Sequence, residues 1–319
     1  MSIIEVVALR KTWPGPVEAV REIGFAVEEG AMFALLGPNG AGKSTTMRIL
    51  ATLSAADGGT VRINGHDLAD GALAIRRSIG YVAQGSTADQ LLTGAENLLL
   101  QGRLYGLAKR ELGHRVSELL ALLDLKDAAH RQVRTWSGGM RRRLDLAMGI
   151  VHGPRVLLLD EPTTSLDPES RTAVWRELLR LRQQLGMTIL FSTHYLEEAD
   201  RHADRVAIID RGRIVAEDTP AALKAALEGD RVDLVLRDRT ALAEAAATLG
   251  KLEIVHSVTE RDGHLELRVR DGARAMPQIV GALPPDSLVE VAMTRPSLDD
   301  VYLSVTGRHY EAAGTEITP

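Results

Sequence analysis

The sequence predicts an α/β protein followed by a small α+β domain. Apolar runs of strand length alternate with helical patterns, which is typical of an α/β core. A glycine-rich loop stands between a strand pattern and a helix pattern. Near residue 230 the pattern changes to two-periodic runs such as RVDLVLRD and HLELRVRD. We therefore predict a first domain at residues 1–228 and an accessory or regulatory domain at residues 229–319.

The first half of the large domain begins with strand patterns separated by polar turns: IIEVVALR, REIGFAVEEG and Ala31–Leu36. The stretch DGGTVRINGHDL predicts a hairpin, and IRRSIGYVAQ predicts a short strand that ends at Gln84. From Ala95 to Ala129, leucines recur at spacings of three and four, which predicts helices. We assign a helical subdomain to about residues 85–150.

The second half of this domain returns to the alternation of strands and helices. RVLLLDEP is a continuous apolar run closed by carboxylates, as expected for a strand buried on both faces of a parallel sheet. A helix pattern follows in PESRTAVWRELLRLRQQL, and the strand patterns MTILFSTH and RVAIIDRGRIVAE come after it. The domain is therefore predicted to contain a parallel sheet with helical crossovers.

Composition excludes several classes of function. The chain has no cysteine, so it has neither a disulfide framework nor thiolate chemistry. A formal net charge of -5 and an aromatic content of 3% disfavour nucleic acid as a partner. The apolar runs are far shorter than the ~20 residues of a membrane span, and the N-terminus lacks the pattern of a secretory signal. We expect a cytoplasmic protein that reaches a membrane only through a partner.

The loop GPNGAGKST matches the phosphate-loop pattern and has the strand–loop–helix context that this pattern requires. Its glycines allow backbone N–H groups to converge on phosphate oxygens at a helix N-terminus. Lys43 is expected to reach the β and γ phosphates, and the Ser44 hydroxyl is expected to bind Mg²⁺. The candidate nucleotide-binding residues of the loop are Gly37, Asn39, Gly40, Gly42, Lys43, Ser44 and Thr45.

Acidic residues at the end of a second buried strand would complete such a site. Asp160 is the candidate magnesium ligand, through water, and Glu161 the candidate general base. An adjacent Asp-Glu pair is also common on protein surfaces, but this pair follows four apolar residues. Gln84 and His194 each end a predicted strand. Gln84 is a candidate ligand of the metal or of water, and His194 is a candidate hydrogen-bond partner of the terminal phosphate. For each residue taken singly there is an alternative, namely a solvated Gln and a structural His.

In chain order, these motifs resemble the nucleotide-binding subunit of ATP-binding cassette (ABC) transporters over about residues 3–225. The resemblance rests on GPNGAGKST, YVAQ, WSGGM, VLLLDEP, TTSLDP and STH. It implies a P-loop NTPase core of the ABC-ATPase type, with ATP and Mg²⁺ as cofactors. It also gives Gln84 and His194 catalytic roles, with Gln84 as a further magnesium ligand, and assigns Asp167 to the nucleotide site.

The same resemblance assigns residues that spacing alone does not. Trp13 occupies the place of the family's adenine-stacking aromatic residue, although a Trp at the rim of a turn remains an alternative. Ser137, Gly138 and Gly139 form the family signature, which contacts the ATP of a partner subunit in a head-to-tail homodimer. Trp136 and Met140 depart from the usual flanking residues, which puts the usual glutamine contact in doubt.

A narrower resemblance concerns the transported cargo. SGGMRRRLDLA is similar to the daunorubicin/doxorubicin-resistance exporter ATPases, and the tail RPSLDDVYLSVTG is similar to that group and to nodulation-factor and lipid exporters. The resemblance implies an ATPase that drives efflux of a drug-like or lipid-like compound through a separate ABC-2-type permease in a 2+2 complex. An importer ATPase, a soluble ABC ATPase and a non-hydrolysing binder are the alternatives. Arg141–Arg143 is interpreted as a solvated or interface face rather than a nucleic-acid patch.

Overall fold

The computed structural model describes residues 1–15, 17–227, 229–261, 263–308 and 310. The described chain forms two compact units, Met1–Asp218 and Thr219–Tyr310. The division precedes the predicted boundary at 228, because the helix that begins at Pro220 packs on the last helix of the second unit. The α/β core with its helical segment and the α+β second unit agree with the predicted fold class.

Ten strands are described in the first unit: β1 (Ser2–Trp13), β2 (Val17–Glu28), β3 (Met32–Leu36), β4 (Gly58–Ile63), β5 (His66–Asp67), β6 (Ile79–Val82), β7 (Val156–Asp160), β8 (Thr188–Thr193), β9 (Arg205–Asp210) and β10 (Arg213–Asp218). Its α-helices are α1 (Lys43–Leu50), α2 (Ala72–Ser78), α3 (Gly94–Leu104), α4 (Lys109–Leu122), α5 (Gly138–Ile150), α6 (Pro168–Leu185) and α7 (Leu196–His202). Short 3-10 turns lie at Lys126–Ala128 and Val133–Thr135.

A six-stranded sheet in the order β10-β9-β3-β8-β7-β6 forms the centre of this unit. Strands β9, β3, β8, β7 and β6 are parallel, whereas β10 joins β9 as an antiparallel edge strand. Every residue of β3, β7 and β8 is buried, which explains their continuous apolar sequences. Because these three strands are neighbours, the residues that follow their carboxyl ends are brought to one edge of the sheet.

A four-stranded antiparallel sheet in the order β2-β1-β4-β5 forms the second layer. Its buried side chains, among them Ile4, Val6 and Val61, share one apolar core with α1 and with the central sheet. The rings of Phe25 and Phe33 stack at 5.3 Å between centroids within this core. This packing holds the N-terminal strands, including the end of β1 at Trp13, against the element that carries the glycine-rich loop.

The second unit has the order β-α-β-β-α-β of a ferredoxin-like domain, flanked by two further helices. Its antiparallel sheet has the order β12-β13-β11-β14. Inward side chains such as Val232, Leu234 and Leu267 pack with Leu249 and Ile279 from the helices. The elements are α8 (Pro220–Ala225), β11 (Asp230–Leu236), α9 (Leu242–Leu249), β12 (Val255–Arg261), β13 (His264–Val269), α10 (Gly272–Ala282), β14 (Leu288–Thr294) and α11 (Leu298–Thr306).

Among the helices in the described part of the chain, none combines the length and the apolar character that crossing a bilayer requires.

Candidate functional site

The glycine-rich loop connects the buried end of β3 to the start of α1. Gly42 has φ of 108° at the N-cap of α1, a left-handed conformation that glycine adopts without strain. A Cβ atom on Gly37 would lie 2.2 Å from the carbonyl oxygen of Ile209, and one on Gly42 would lie 2.4 Å from that of Ala19. Both positions therefore require glycine. Asn39 and Gly40 are exposed at the outer turn of the loop.

Lys43 is the buried cation of this loop. Its ammonium donates to the carbonyl oxygens of Gly37 at 2.7 Å and Pro38 at 3.1 Å. It also lies 3.3 Å from Oε1 of Glu161. Burial lowers the pKa of Lys43, and the charge of Glu161 opposes that effect. Lys43 is thus held at the mouth of the loop by carbonyl oxygens and by one carboxylate.

Asp160, the last residue of β7, accepts two hydroxyl hydrogen bonds on one oxygen. Ser44 Oγ donates to its Oδ1 at 3.0 Å, and Ser192 Oγ donates to the same atom at 2.7 Å. Asp160 and Ser192 are direct neighbours in the parallel pair of β7 and β8. The structure therefore brings two of the three predicted magnesium ligands, Ser44 and Asp160, together as oxygen donors at the edge of the sheet.

Glu161 is the meeting point of the predicted site residues. Its Oε2 accepts from Gln84 Nε2 at 3.1 Å and from Thr164 Oγ1 at 3.0 Å, and it lies 3.1 Å from His194 Nδ1. Burial alone raises the pKa of Glu161, but His194 and Lys43 together with Thr164 lower it to about 2. The carboxylate is therefore ionised, which a general base must be.

The backbone at Glu161 is unusual. Its φ of 47° lies in the left-handed region, and its N–H donates to Ser192 Oγ at 2.9 Å. A non-glycine residue with this conformation costs free energy and is found most often at functional positions. Ser192 therefore anchors both the Glu161 backbone and the Asp160 side chain.

The structure shows where His194 and Gln84 lie, whose roles the sequence alone leaves open. His194 is 4% exposed and its ring lies against Tyr195 at 4.1 Å between centroids. Gln84 follows β6 by a short loop, and its amide reaches Glu161 across the neighbouring strand β7. The structure brings both to the same carboxylate, which argues against a remote structural His. Gln84 itself is exposed, as a solvated Gln would be, although its amide donates to Glu161.

Trp13 lies next to the phosphate loop although it stands far from that loop in the sequence. Its Nε1 donates to Thr45 Oγ1 at 3.3 Å. The Lys11 ammonium lies 5.1 Å from the centre of the Trp13 ring, and Lys11 is itself held by Asp57 at 2.8 Å. The indole is half-buried beside the start of α1, where the Nε1 hydrogen bond and the Lys11 ammonium near its ring hold it.

Ser137, Gly138 and Gly139 form a second cluster at the start of α5. Ser137 is the N-cap, and its hydroxyl accepts from the N–H of Met140 at 3.2 Å. Asp167 is the N-cap of α6 and accepts from Ser170 N at 2.8 Å. In the described chain, no hydrogen bond or ion pair that we find joins Ser137–Gly139 or Asp167 to Lys43, Asp160 or Glu161. Ser137 and Gly139 lie instead beside the first turn of α6, the helix that Asp167 caps.

This second cluster has room for a ligand. Ser137, Gly139, Glu169 and Ser170 line a cleft of about 170 Å³ between α5 and α6. A Cβ atom on Gly139 would lie 2.8 Å from Ser170 Oγ, so a side chain there would narrow the cleft. The first N–H groups of a helix have no partner within the helix and attract anions. The cluster is therefore a candidate anion-binding surface.

The departures from the family signature have different structural roles. Trp136 is 2% exposed, and a Cβ atom on Gly94 would lie 2.3 Å from its ring. It is a core side chain that packs α5 against the start of α3. Met140 is half-buried and lines the cleft. The larger residue before the serine thus fills space between helices.

The interpretation of Arg141–Arg143 as a solvated or interface face was wrong for Arg142. Arg142 is 6% exposed, and its guanidinium donates to five backbone carbonyl groups in two loops. Arg141 and Arg143 are partly buried and cap carbonyl oxygens of Trp136 and Leu123. The run of three arginines favours exposure to solvent, but the packing of α5 against β6 turns the middle arginine toward the protein interior.

Sequence reasoning also missed two buried acids. Asp145, on α5, accepts from Ser86 and Thr87 in the loop after Gln84. Burial raises the pKa of Asp145, and these hydrogen bonds oppose that rise. Glu198, on α7, accepts from Thr163 and from Thr193, and so joins the segments that follow Glu161 and precede His194. Asp145 and Glu198 each lie among apolar residues on their own helix, and that position in the sequence was the signal that could have indicated their burial.

Comparisons with known proteins agree with this geometry. A family model described as ABC transporter matches residues 20–164. The chain is 43% identical to daunorubicin resistance ATP-binding protein DrrA3 of Streptomyces coeruleorubidus, over 92% of each chain. It is 41% identical to daunorubicin/doxorubicin resistance ATP-binding protein DrrA of Streptomyces peucetius, over 98% of this chain and 95% of that protein. A solved dimeric ATP-binding cassette in a post-hydrolysis state, bound to ADP and phosphate, matches with a TM-score of 0.62 at 26% identity, over 68% of this chain and 98% of its own.

Proposed function

The chain belongs to the ABC transporter family as an ATP-binding, ATP-hydrolysing subunit, and we propose that it energises efflux of a hydrophobic, antibiotic-like or lipid-like compound through a separate permease. The observation that carries the ATPase assignment is the convergence of Lys43, Gln84 and His194 on Glu161. The nature of the cargo is supported by the relatives, which are named for daunorubicin and doxorubicin resistance.

Nucleotide binding uses the loop and the indole. The phosphates bind the loop amides of Gly37–Thr45 and the ammonium of Lys43, where the N-terminus of α1 favours negative charge. The adenine stacks on the ring of Trp13, which lies beside Thr45. Binding exchanges the Lys43–Glu161 contact for contacts between Lys43 and phosphate, and so frees the carboxylate to meet water.

Hydrolysis requires a base and a group that holds the terminal phosphate. Glu161 accepts the proton of the attacking water, because its carboxylate is ionised and buried beside the loop. His194 hydrogen-bonds the terminal phosphate, and Gln84 orients the water or the metal. Each of these side chains begins from a strand end, so their spacing is set by the sheet.

The oxygen donors near the loop fit a magnesium ion. Ser44 Oγ and Asp160 Oδ1 lie 3.0 Å apart, and Mg²⁺ prefers one or two such groups together with phosphate oxygens. Gln84 is the third candidate ligand. When bound, the ion would neutralise charge that develops on the phosphates.

The isolated signature cluster supports a head-to-tail homodimer. Ser137–Gly139 begins a helix whose first N–H groups can attract an anion, and the matched solved cassette is dimeric, which supports a dimer for this chain. The terminal phosphate of ATP then contacts both subunits. This differential contact favours the closed dimer while ATP is bound, and hydrolysis reverses the preference.

We place this dimer on the cytoplasmic face of the membrane, under an ABC-2-type permease in a 2+2 complex. The second unit then has a scaffolding or dimer-contact role, because within its described residues no cluster of histidine or acidic side chains that could hold a metal is found. Removing residues 219–319 tests that role. Unchanged dimerisation and transport in the truncated chain would contradict it.

Export is tested in cells that carry the chain with the permease encoded beside it. We expect such cells to accumulate less of a fluorescent hydrophobic antibiotic than cells with either protein alone. Cells with the Glu161→Gln chain and the same permease are the matched control, and they should accumulate the compound like the parent strain. Faster ATP-dependent uptake in place of efflux would support an importer, and no change for any compound of a hydrophobic panel would contradict the proposed cargo class.

A further inference from the structure

Helix α5 carries two buried charged residues one turn below its signature end. Arg142 is 6% exposed and Asp145 is 2% exposed. Burial of a charge is costly unless hydrogen bonds or an opposite charge offset it. Oδ1 of Asp145 and the Arg142 guanidinium have such partners, whereas Oδ2 of Asp145 has no hydrogen-bond partner among the described residues. Neither contacts the phosphate loop in any hydrogen bond that we find among the described residues.

The guanidinium of Arg142 joins two loops of the nucleotide site. Nη1 donates to the carbonyl oxygens of Ala83 at 2.8 Å and Gly85 at 3.4 Å, on either side of Gln84. Nε donates to Pro162 at 2.6 Å, the residue after Glu161. Nη2 lies 3.4 Å from the carbonyl oxygen of Glu161 itself. One planar group with several fixed donors thus spans the backbone around Gln84 and around Glu161.

The carboxylate of Asp145 accepts hydrogen bonds from the next residues of the same loop, Ser86 and Thr87. Its Oδ1 accepts from Ser86 Oγ at 3.1 Å, from Thr87 N at 3.0 Å and from Thr87 Oγ1 at 3.4 Å. Arg142 therefore donates to the carbonyl oxygens on either side of Gln84, and Asp145 accepts from the hydroxyl and N–H groups of the residues that follow. The two charges lie at i and i+3 on one helix, so both face the same loop.

We propose that Arg142 and Asp145 are positioning residues that fasten the signature helix to the backbone of Gln84 and Glu161. The proposal rests on the proposed function, since it gives Glu161 and Gln84 their roles there. The pair makes one rigid body of the Ser137 end of α5, the Gln84 loop and the Glu161 loop. Displacement of α5 when Ser137–Gly139 meets the partner's ATP then moves Glu161 and Gln84 in the subunit's own site.

The pair acts on the catalytic step rather than on nucleotide affinity, because it touches the backbone of Glu161 and not the phosphate loop. Small misplacements of a catalytic group cost up to roughly 100-fold in rate. Arg142→Met in the full chain, assembled with its permease, is expected to lower kcat for ATP hydrolysis roughly 10- to 100-fold. The dissociation constant for a fluorescent ATP analogue should change by less than about twofold, since the contacts of Lys43 remain.

Arg115→Met is the matched control, because the Arg115 guanidinium on α4 also donates to backbone carbonyl oxygens, those of Ile150 at 3.2 Å and Val151 at 3.4 Å, at the other end of α5. Its kcat should stay near that of the unaltered chain. Asp145→Asn keeps a side-chain oxygen for Ser86 and Thr87, and it should retain activity that Asp145→Ala loses. Equal kcat in Arg142→Met and the unaltered chain, or equal losses in Asp145→Asn and Asp145→Ala, would overturn the proposal.

Arg142→Lys and hydrogen exchange keep the test valid if Arg142→Met does not fold. Lysine keeps the charge but cannot span both loops, so backbone amides of residues 83–87 and 160–164 should exchange faster, with exchange in β3 unchanged. Unchanged exchange in both loops would count against the proposal. If the unaltered chain hydrolyses no ATP, or if Glu161→Gln hydrolyses it normally, the proposed function fails instead.

Discussion

Nδ1 of His194 lies 3.1 Å from Oε2 of Glu161, although each residue follows a different strand of the central sheet. Strands β7 and β8 are parallel neighbours, with Asp160 opposite Ser192. The residues just beyond their ends therefore meet above one edge of the sheet. This contact joins the predicted base to the predicted phosphate-holding residue.

Replacing Glu161 by Gln should abolish hydrolysis and spare ATP binding. The amide keeps the shape of the side chain but cannot take a proton, which should cost roughly 10²- to 10⁴-fold in kcat. The variant should also accumulate as an ATP-bound dimer in size-exclusion chromatography. Glu197→Gln is the control, because Glu197 is an exposed acid on the nearby α7. A wild-type rate in Glu161→Gln would show that another group is the base.

Replacing Trp13 by Ala should weaken ATP binding, because stacking of a base on an aromatic ring contributes about 1–3 kcal/mol. Trp13→Tyr should restore most of the affinity. Inorganic tripolyphosphate, which has no base, should bind the unaltered chain and Trp13→Ala equally in competition titrations. Equal weakening for ATP and tripolyphosphate would mean that Trp13 only supports Thr45 and the loop.

Replacing Gly37 by Ala should damage both stability and nucleotide binding. The new Cβ atom would lie 2.2 Å from the backbone oxygen of Ile209, which cannot move without shifting β9. Overpacking of this kind costs about 1–3 kcal/mol in the free energy of unfolding.

The matched control is Gly113→Ala, because no atom lies within 4 Å of the added Cβ atom and the residue is within helix α4. It should keep or raise stability by up to about 1 kcal/mol, since alanine favours helix. Urea unfolding and ATP titration measure both variants. Equal behaviour of the two would show that the loop tolerates a side chain.

Acid should destabilise the first unit partly through His202. Burial, together with Arg201, lowers the pKa of His202 from 6.5 to about 4. Between these values the unfolded chain binds a proton that the folded chain does not. The free energy of unfolding should therefore fall as the pH is lowered from 6.5 to 4.

His202→Phe should weaken this pH dependence, because phenylalanine can keep the stacking on Trp175, whose ring centre lies 4.3 Å from that of His202. The measurement is urea unfolding of both proteins at several pH values across that range. His66→Gln, which changes an exposed histidine, is the control. A slope that His202→Phe leaves unaltered would assign the acid sensitivity to other groups.

The strand and helix patterns of the core were predictable because the central strands are buried on both faces. A continuous apolar run such as VLLLD indicates a strand that is buried on both faces. The phosphate-loop pattern of Gly37–Thr45 indicates a strand before it and a helix after it. Elements without such a pattern were not predicted. Strand β14, for example, is mostly exposed or half-buried, so its sequence carries no clear alternation.

The sequence by itself determined the order of motifs, and with it the phosphate loop, the acidic pair and the signature. Only the tertiary structure decided which of these residues meet. It brought Gln84 and His194 to Glu161, and it placed Gly139 of the signature beside Ser170 of α6. It also turned Arg142 inward from a run of three arginines. The physical reason is that local patterns record burial along one element, whereas the partners of a buried charge depend on how neighbouring elements are packed.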